Sequence, residues 1–298
     1  MSAPAKLDLA ALETLPLPSQ GRAVDKNSRG RVLVVGGGAW GPGAALLTGV
    51  GALRAGAGKV QIAAADRFAP SLATTFPEAA ILTVPATDQG EFRPEGAELL
   101  RRNIAHADAV IIGPGMLDKA AAAHFVRALM TMPTEAALVV DAAAVTGLSL
   151  RDDLSALAGR LVMTPHAGEM ASLLKREKAE IEADPLGAAR EAAAAFKAVV
   201  VMKGADTHVV SPDGGAWLHR DGVVGLATSG SGDVLAGVVG GLLARGASPL
   251  TAAAWGVCVH AQAGRRLTIG RGATGFLARE LLPEIPAILQ ACGSGQVR

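Results

Sequence analysis

Short runs of β-branched residues alternate with alanine-rich stretches along most of this chain. Such an alternation is typical of a parallel sheet with helices packed on its faces. The runs predict strands over 31–35, 59–63, 109–112, 137–141, 160–163, 198–202 and 207–210. Apolar residues three and four apart predict helices over 43–55, 119–130, 168–174 and 185–196, and after Trp217 over 231–244, 249–266 and 276–289.

The chain is predicted to form one domain. It has 298 residues, of which 50% are hydrophobic, and this is enough to bury a large core. No linker rich in proline, serine or charge divides it, and no internal repeat is visible. We therefore expect an N-terminal lead-in over residues 1–25 and a single α/β domain over 26–298.

Composition excludes several classes of function. A net charge of +1 and an aromatic content of 3%, with no tyrosine, argue against nucleic-acid and anionic-membrane partners. The apolar residues are spread out, and no run reaches the roughly 18 that a membrane span needs. The two cysteines are too few for a disulfide framework, and the N-terminus lacks an export signal. We expect a cytoplasmic protein.

The first predicted strand runs into glycines with the spacing of a dinucleotide-binding turn. Gly36, Gly38 and Gly41 match G-x-G-x-x-G, which would make the chain an NAD-dependent oxidoreductase. In that pattern an acidic residue follows about 20 residues later to hold the ribose. Here the nearest candidate, Asp66, lies 30 residues after Gly36, and Pro42 delays the next helix. The spacing therefore disfavours the interpretation as an NAD-dependent oxidoreductase.

The most informative stretch is "GLATSGSGDVLAGVVGGLLARG", which starts at Gly225. Small residues over 227–232 lead directly into a predicted helix with Asp233 in its first turn. The free N–H groups of a helix start bind anions, and glycine lets a ligand approach closely. Asp233 would then orient or deprotonate a hydroxyl that attacks a bound phosphoryl group. In the alternative reading Asp233 only caps the helix.

Several motifs in the same order resemble the ADP- or ATP-dependent NAD(P)H-hydrate dehydratases of the ribokinase-like superfamily. The resemblance covers residues 26–282. It implies a ribokinase-like three-layer α/β/α sandwich with a mostly parallel central sheet. The motifs are "GPGAALLTGVGALRAGAGKV", "FPEA", "VIIGPG", "TPHAGEM", "VVMKGADTHVVSPDG", "GLATSGSGDVLAGVVGGLLARG" and "GATGFLARELLP".

The resemblance implies repair of damaged nicotinamide cofactors. Members of this family return the S epimer of the hydrates NADHX and NADPHX to NADH and NADPH at the expense of ADP or ATP, and family habit favours ADP here. The C6 hydroxyl is phosphorylated, and phosphate then leaves more easily than hydroxide. Mg²⁺ would accompany the nucleotide. The resemblance also implies a homo-oligomer, expected to be a tetramer, and a separate epimerase that interconverts the R and S epimers.

The resemblance also assigns site residues. Asp233 would be the catalytic base and would contact the substrate together with Ala44, Gly115 and His166. From the sequence alone, without the resemblance, His166 would more often be a structural capping residue than a ligand. The nucleotide would contact Lys203, Gly204, Ala205, Asp206, Thr207, Gly230, Ser231 and Gly232. No residue is predicted as a metal ligand. Without the resemblance, Lys203 would be read as a surface lysine at a strand end.

Three positions depart from the family pattern. Val223 and Val224 stand where the family has Asn-Pro, Ala143 replaces a second acidic residue, and Ser229 replaces a glycine. These changes bear on substrate and metal contacts but leave Asp233 and Lys203 in place. Two further functions remain open at this point: a small-molecule kinase of the same superfamily, acting on an alcohol such as hydroxyethylthiazole, and a nucleotide-binding protein without catalysis.

Overall fold

The computed structural model describes residues 3–19, 25–38, 41–117, 119–220 and 222–293. In this part of the chain ten strands form one sheet, with helices on both of its faces. The strands are β1 (Ala5–Lys6), β2 (Arg31–Val35), β3 (Lys59–Ala65), β4 (Ala79–Val84), β5 (Ala109–Ile112), β6 (Ala137–Val140), β7 (Leu161–Met163), β8 (Val199–Met202), β9 (Thr207–Val210) and β10 (Ala216–His219).

Twelve α-helices lie in the same described ranges. They are α1 (Pro42–Arg54), α2 (Ala69–Thr75), α3 (Arg101–His106), α4 (Lys119–Met130), α5 (Ala143–Thr146), α6 (Ala167–Leu174), α7 (Lys178–Ala183), α8 (Pro185–Phe196), α9 (Ser231–Ala244), α10 (Pro249–Arg271), α11 (Ala278–Leu281) and α12 (Ile285–Gly293). None of the described helices combines the length and the apolar character that crossing a membrane requires.

The strand order is β1-β10-β9-β8-β7-β6-β5-β2-β3-β4. The seven strands from β8 to β4 in this order pair with one another in parallel, whereas β9 is antiparallel to both β8 and β10. The predicted mostly parallel α/β sheet is thus confirmed, and all seven predicted strands are present with ends shifted by at most two residues. Three strands were missed: β1, β4 and β10.

Each face of the sheet carries its own apolar core. Alternate residues of β2 point to opposite faces, so Val32 and Val34 join one core and Leu33 and Val35 the other. The first core packs under α1, α9, α10 and α12, and the second under α4, α5, α6 and α8. A strand buried on both faces reads as a continuous apolar run, which is why β2 was visible in the sequence.

The N-terminal segment is attached to this domain. Strand β1 pairs in parallel with β10, and Leu7 and Leu12 are buried in the first core. The indole nitrogen of Trp255 donates a hydrogen bond to the carbonyl of Leu15 at 2.7 Å. Residues 1, 2 and 20–24 of the predicted lead-in lie outside the described residues.

Helices α1 and α9 approach closely because small residues line their contact. A Cβ on Gly237 would overlap the backbone of Thr48, and one on Gly51 would lie 3.0 Å from the carbonyl oxygen of Val234. The hydroxyl of Thr48 lies 2.9 Å from the carbonyl oxygen of Ala44 and 3.1 Å from that of Asp233. This contact fixes the start of α9 beside the start of α1.

The last predicted helix is divided in the structure. The range 276–289 holds α11, a short 3₁₀ turn and the start of α12. Pro283 and Pro286 lie in this stretch, and proline removes a backbone donor from a helix interior and clashes with the preceding turn.

Candidate active site

Three parallel strands bring an ion pair to their carboxyl ends. Asp141 directly follows β6, Thr164 follows β7 and Lys203 follows β8. The ammonium nitrogen of Lys203 lies 2.7 Å from Oδ1 of Asp141, and the hydroxyl of Thr164 donates to the same oxygen at 2.7 Å. Asp141 is only 2% exposed. Its charge is therefore held by one cation and one hydroxyl inside the protein.

A second carboxylate lies near the same lysine. Oε2 of Glu169 is 3.7 Å from Nζ of Lys203 and also accepts a hydrogen bond from the backbone N–H of His166 at 2.8 Å. Burial works to lower the pKa of Lys203, but the carboxylates of Asp141 and Glu169 raise it above its usual range. Lys203 is thus a partly buried, paired cation, with 21% of its side chain exposed, rather than a free surface lysine.

His166 is the N-cap of α6. Its Nδ1 accepts from the backbone N–H groups of Gly168 and Glu169 at 3.0 and 3.2 Å, and Glu169 completes the capping box. The capping interpretation of His166 is therefore confirmed. Its side chain is still 57% exposed and borders a cavity, with Nε2 3.3 Å from Oε1 of Glu169.

The start of α9 leaves backbone donors free. Gly230 precedes the helix with φ of +89°, a conformation that glycine adopts without strain, and supplies no side-chain cap. The N–H of Ser231 is bonded to the carbonyl of Thr228. The N–H groups of Gly232 and Asp233 make no hydrogen bond to any of the described residues. These two donors form an anion-binding position at the positive end of the helix dipole.

Asp233 lies at this position, and the pKa of its carboxyl is raised. Burial, together with the negative charge of Asp141, raises its pKa to about 7, although Lys203 acts in the opposite direction and Glu169 adds to the rise. Near neutral pH this carboxyl therefore exchanges a proton readily. A carboxyl with such a pKa beside an anion-binding position suits general base catalysis of phosphoryl transfer.

A cavity of about 700 Å³ adjoins the start of α9. The polar part of its lining includes groups from the segment that begins at Lys203 and from the first turn of α9. Its apolar lining includes Val223, Val224, Leu226, Leu235, Val257 and Ala261. The cavity therefore offers both polar and apolar contacts, as a nucleotide requires.

The structure gathers most of the predicted nucleotide residues at this cavity. Lys203, Gly204, Ala205, Thr207, Ser231 and Gly232 line it, as does His166 from the predicted substrate set. Asp206 is outside the lining and is exposed, with Arg220 3.8 Å from its carboxylate. Gly230 is also outside the lining and lies against Leu47 instead.

The remaining predicted substrate residues form a separate wall of small residues. Gly115 has φ of +73°, and a Cβ placed on it would lie 3.2 Å from that of Ala44. Ala44 is in the first turn of α1, whose contact with α9 places it near Asp233. The hydroxyl of Thr48 lies within hydrogen-bonding distance of the carbonyls of both Ala44 and Asp233, so the wall is attached to the first turn of α9.

Sequence reasoning missed the partners of Lys203 and two histidines. Both partners lie in motifs that follow a strand, and that position was the signal: Asp141 comes directly after β6, and Glu169 lies in the first turn of α6, the helix after β7. His260 and His219 carried no such signal. Nε2 of His260 lies 2.9 Å from Oγ of Ser231, and burial lowers the pKa of His260 to about 4. His260 is therefore neutral near physiological pH.

The G-x-G-x-x-G turn has a structural role. The N–H groups of Gly37 and Gly38 donate to the carbonyls of Pro114 and Gly115 at 2.8 and 3.0 Å. These are donors that a pyrophosphate would need in a redox dinucleotide site. Since both N–H groups are already bonded to the protein, the turn does not offer them to a dinucleotide, and the oxidoreductase interpretation is not supported.

The family model described as NAD(P)H-hydrate dehydratase matches residues 32–287. This chain belongs to that family. An ADP-dependent (S)-NAD(P)H-hydrate dehydratase from Xanthomonas campestris is 48% identical over 96% of both chains, and one from Neisseria meningitidis is 36% identical over 87% of this chain and 84% of its own. A bifunctional NAD(P)H-hydrate repair enzyme from Moorella thermoacetica is 36% identical over 92% of this chain and 52% of its own length.

Solved structures agree with this family assignment. An ADP/ATP-dependent NAD(P)H-hydrate dehydratase from Bacillus subtilis, co-crystallised with ATP and Mg²⁺, matches with a TM-score of 0.81 at 26% identity, over 98% of this chain and all of that one. A hydroxyethylthiazole kinase from Pyrococcus horikoshii shares the fold, with a TM-score of 0.59 at 17% identity over 95% of both chains. The expected family and the ribokinase-like fold are confirmed, and the kinase and non-catalytic alternatives are not favoured.

The departures from the family pattern can now be located. Val223 and Val224 line the cavity, and Val224 is 73% exposed. Ala143 is buried in the second apolar core at the start of α5. A carboxylate at position 143 would lie among apolar side chains, two residues after Asp141.

Proposed function

We propose that this chain dehydrates the S epimers of NADHX and NADPHX to NADH and NADPH, with ADP as the phosphoryl donor. The observation that carries the proposal is the position of Asp233. A carboxyl with a pKa of about 7 lies in a helix turn that has two free N–H groups and borders the cavity through Ser231 and Gly232. The Xanthomonas relative, named as an ADP-dependent enzyme, supports this choice of nucleotide.

In the first step the C6 hydroxyl of the hydrated ring attacks the terminal phosphorus of the nucleotide. Asp233 takes the hydroxyl proton as the new O–P bond forms, and the P–O bond to AMP breaks. The N–H groups of Gly232 and Asp233 stabilise the negative charge on the transferred phosphoryl oxygens. A base with a pKa near 7 is partly ionised at neutral pH and can accept this proton.

In the second step phosphate leaves. The lone pair of the ring nitrogen forms a double bond to C6 as the C6–O bond breaks, and loss of the C5 proton restores the C5–C6 double bond of the dihydronicotinamide. Phosphate is a much better leaving group than hydroxide. A fold suited to phosphoryl transfer can therefore perform a dehydration.

We propose that Lys203 contributes positive charge at the phosphoryl position. A Cβ on Gly232 would be 3.4 Å from the ammonium nitrogen, so Lys203 lies directly below the first turn of α9. Asp141 holds the ammonium there through the 2.7 Å contact. Lys203 thus has a positioned charge, and Asp141 sets its position.

Mg²⁺ would enter with the nucleotide. Phosphoryl transfer needs the phosphate charge to be neutralised. In the part of the chain that the structure describes, no cluster of three metal-ligating side chains is found, and the carboxylates of Asp141 and Glu169 face Lys203. We therefore assign the metal's ligands to phosphate oxygens and water.

The ligands are assigned to the two sides of Asp233. The nucleotide would occupy the cavity, with phosphates at α9 and contacts over 203–207. The hydrated nicotinamide ring would lie against Ala44 and Gly115, with His166 contacting the dinucleotide. We further propose that the protein is a cytoplasmic homotetramer. We also propose that it works with a separate epimerase, since the bifunctional relatives join two repair activities in one chain.

The deciding experiment supplies the protein with purified S epimer of NADHX, Mg²⁺ and either ADP or ATP. The absorbance of the dihydronicotinamide ring should rise in proportion to the AMP released from ADP. Reactions lacking nucleotide and reactions with the R epimer serve as controls. If the nucleotide produces no NADH from the S epimer, the proposal is wrong.

A further inference from the structure

Two helices meet at the anion-binding start of α9 through a serine and a histidine. Ser231 is the first residue of α9, directly before Gly232 and Asp233, and His260 lies in α10. Nε2 of His260 is 2.9 Å from Oγ of Ser231, and both residues line the cavity of about 700 Å³. None of the roles assigned so far uses the side chain of His260.

The contact between Ser231 and His260 uses only one of two hydrogens. Burial lowers the pKa of His260 to about 4, and the positive charge of Lys203 adds to this, so the ring is neutral near pH 7. A neutral imidazole carries one N–H and a serine carries one O–H, and a hydrogen bond between them uses one of these. Oγ of Ser231 and Nδ1 of His260 make no other hydrogen bond to the described residues. The pair therefore has one donor available for a ligand.

The backbone of Ser231 favours a ring hydrogen on Nε2 of His260. The carbonyl of Ser231 works to raise the pKa of His260, which is the effect of an acceptor near a ring N–H. Because Nε2 is the nitrogen that meets Ser231, the hydrogen lies on Nε2 and is donated to Oγ. The hydroxyl then keeps its own hydrogen for another acceptor. Ser231 is only 4% exposed, and a largely enclosed donor without an acceptor destabilises the protein.

A phosphate oxygen is the acceptor that this position favours. The N–H groups of Gly232 and Asp233, in the same helix turn, make no hydrogen bond to the described residues, and the helix dipole attracts negative charge. The Ser231 hydroxyl precedes these two donors in the chain and adds a third. A hydrogen bond to a charged acceptor is about twice as strong as one between neutral groups.

We propose that His260 is a positioning residue, which holds the Ser231 hydroxyl so that its hydrogen is donated to a nucleotide phosphate at the start of α9. This inference rests on the proposed function, because it takes the anion at α9 to be a phosphate of the nucleotide. His260 would not touch the phosphate. It would act through Ser231, by donating to a lone pair of Oγ and leaving the O–H free.

Two amides that differ by one methylene group provide the experiment. The amide of glutamine reaches the position of Nε2 and can donate to Oγ, whereas the amide of asparagine ends near the position of Nδ1. In titrations with ADP and Mg²⁺, His260→Asn should weaken binding about 10-fold, the low end for a hydrogen bond to a charged group, and His260→Gln at most about 3-fold. Equal affinities of the two variants for ADP would overturn the proposal.

A double-mutant cycle tests whether His260 acts through Ser231. Ser231→Ala should weaken ADP binding at least about 10-fold, and His260→Asn should add less than about 2-fold in that background. If His260 only supports the packing of α9 against α10, His260→Asn weakens binding by the same factor in both backgrounds, and the proposal is wrong.

His208 provides a control for the loss of a histidine. It is buried on strand β9 and absent from the cavity lining, so His208→Asn should bind ADP as the wild type does. Nitrogen NMR of the wild-type imidazoles adds a measurement that does not depend on the folding of His260→Asn. The signals of His260 should show the hydrogen on Nε2, and a hydrogen on Nδ1 would overturn the proposal.

Binding measured without turnover separates this inference from the proposed function. If the expected coupling between Ser231 and His260 appears in ADP binding but no NADH forms from NADHX, only the proposed reaction fails. If NADH forms with ADP although Ser231→Ala and His260→Asn bind ADP like the wild type, only the role of His260 fails.

Discussion

The ammonium of Lys203 and the carboxylate of Asp141 form a 2.7 Å ion pair although 62 residues separate them in the chain. Asp141 is 2% exposed, and the same oxygen accepts the Thr164 hydroxyl. Breaking a buried pair from one side leaves a charge without a partner, whereas removing both charges does not.

We therefore expect Lys203→Met to lower the free energy of unfolding by about 3 kcal/mol, the scale measured for orphaned buried charges. The double variant Lys203→Met with Asp141→Asn should recover much of that loss. Urea unfolding of the wild type, both single variants and the double variant measures the coupling. Additive losses would mean that the two residues do not stabilise each other.

The pH dependence of catalysis follows from Asp233. Its pKa is raised to about 7, and the base must be ionised to accept a proton, so kcat/KM should rise with pH and level off above about pH 8. Asp141 is one cause of the rise, so Asp141→Asn should move the rising limb to lower pH. Initial rates over a pH series measure this limb. If the midpoint of the rise does not move in Asp141→Asn, the pH dependence does not report the ionisation of Asp233.

Replacing the base should remove turnover and leave nucleotide binding in place. Asp233→Asn should lower kcat by at least about 100-fold, the usual contribution of a positioned acid or base. Single-turnover rates measure the loss, and titration with the nucleotide measures binding. Near-normal turnover would mean that Asp233 only caps α9.

The same substitution should stabilise the protein at alkaline pH. Because the pKa of Asp233 is about 7 in the folded state and 3.8 in the reference state, ionisation costs folding free energy that accumulates between about pH 4 and pH 7. Asn carries no such charge. The melting temperature of Asp233→Asn should therefore exceed that of the wild type at about pH 8, with little difference at about pH 4.

Packing between α1 and α9 is the last point to test. A methyl group on Gly237 would overlap the backbone of Thr48, so Gly237→Ala should cost about 1–3 kcal/mol and weaken activity by displacing the start of α9. A methyl group on Gly270, in the helix α10, would meet no atom of the described residues within 4 Å, so Gly270→Ala should be neutral or stabilising by up to about 1 kcal/mol. Thermal unfolding and turnover of both variants make the comparison.

The sequence predicted the strands that are buried on both faces, because these are continuous apolar runs. It did not reveal β1, which has two residues, or β4, an edge strand that is partly exposed. The first is too short for any periodicity, and the second follows the predicted strand 59–63 without a clear helical pattern between them.

For the site, the sequence predicted the residues whose chemistry lies in a local motif, such as Asp233 in its glycine-rich helix start. Contacts across the sheet were not accessible. The pairing of Lys203 with Asp141 depends on β6, β7 and β8 being neighbours, and the contact of His219 with Leu7 spans 212 residues. Local spacing carries no information about which distant segments meet.

The glycine turn after β2 has a mechanical consequence. Its N–H groups at Gly37 and Gly38 are bonded to the carbonyls of the loop after β5, so the two loops hold one another in place. Ala44 and Gly115 are carried by these same segments. A surface braced in this way already has its shape before a ligand arrives, so little ordering entropy is lost when one binds there.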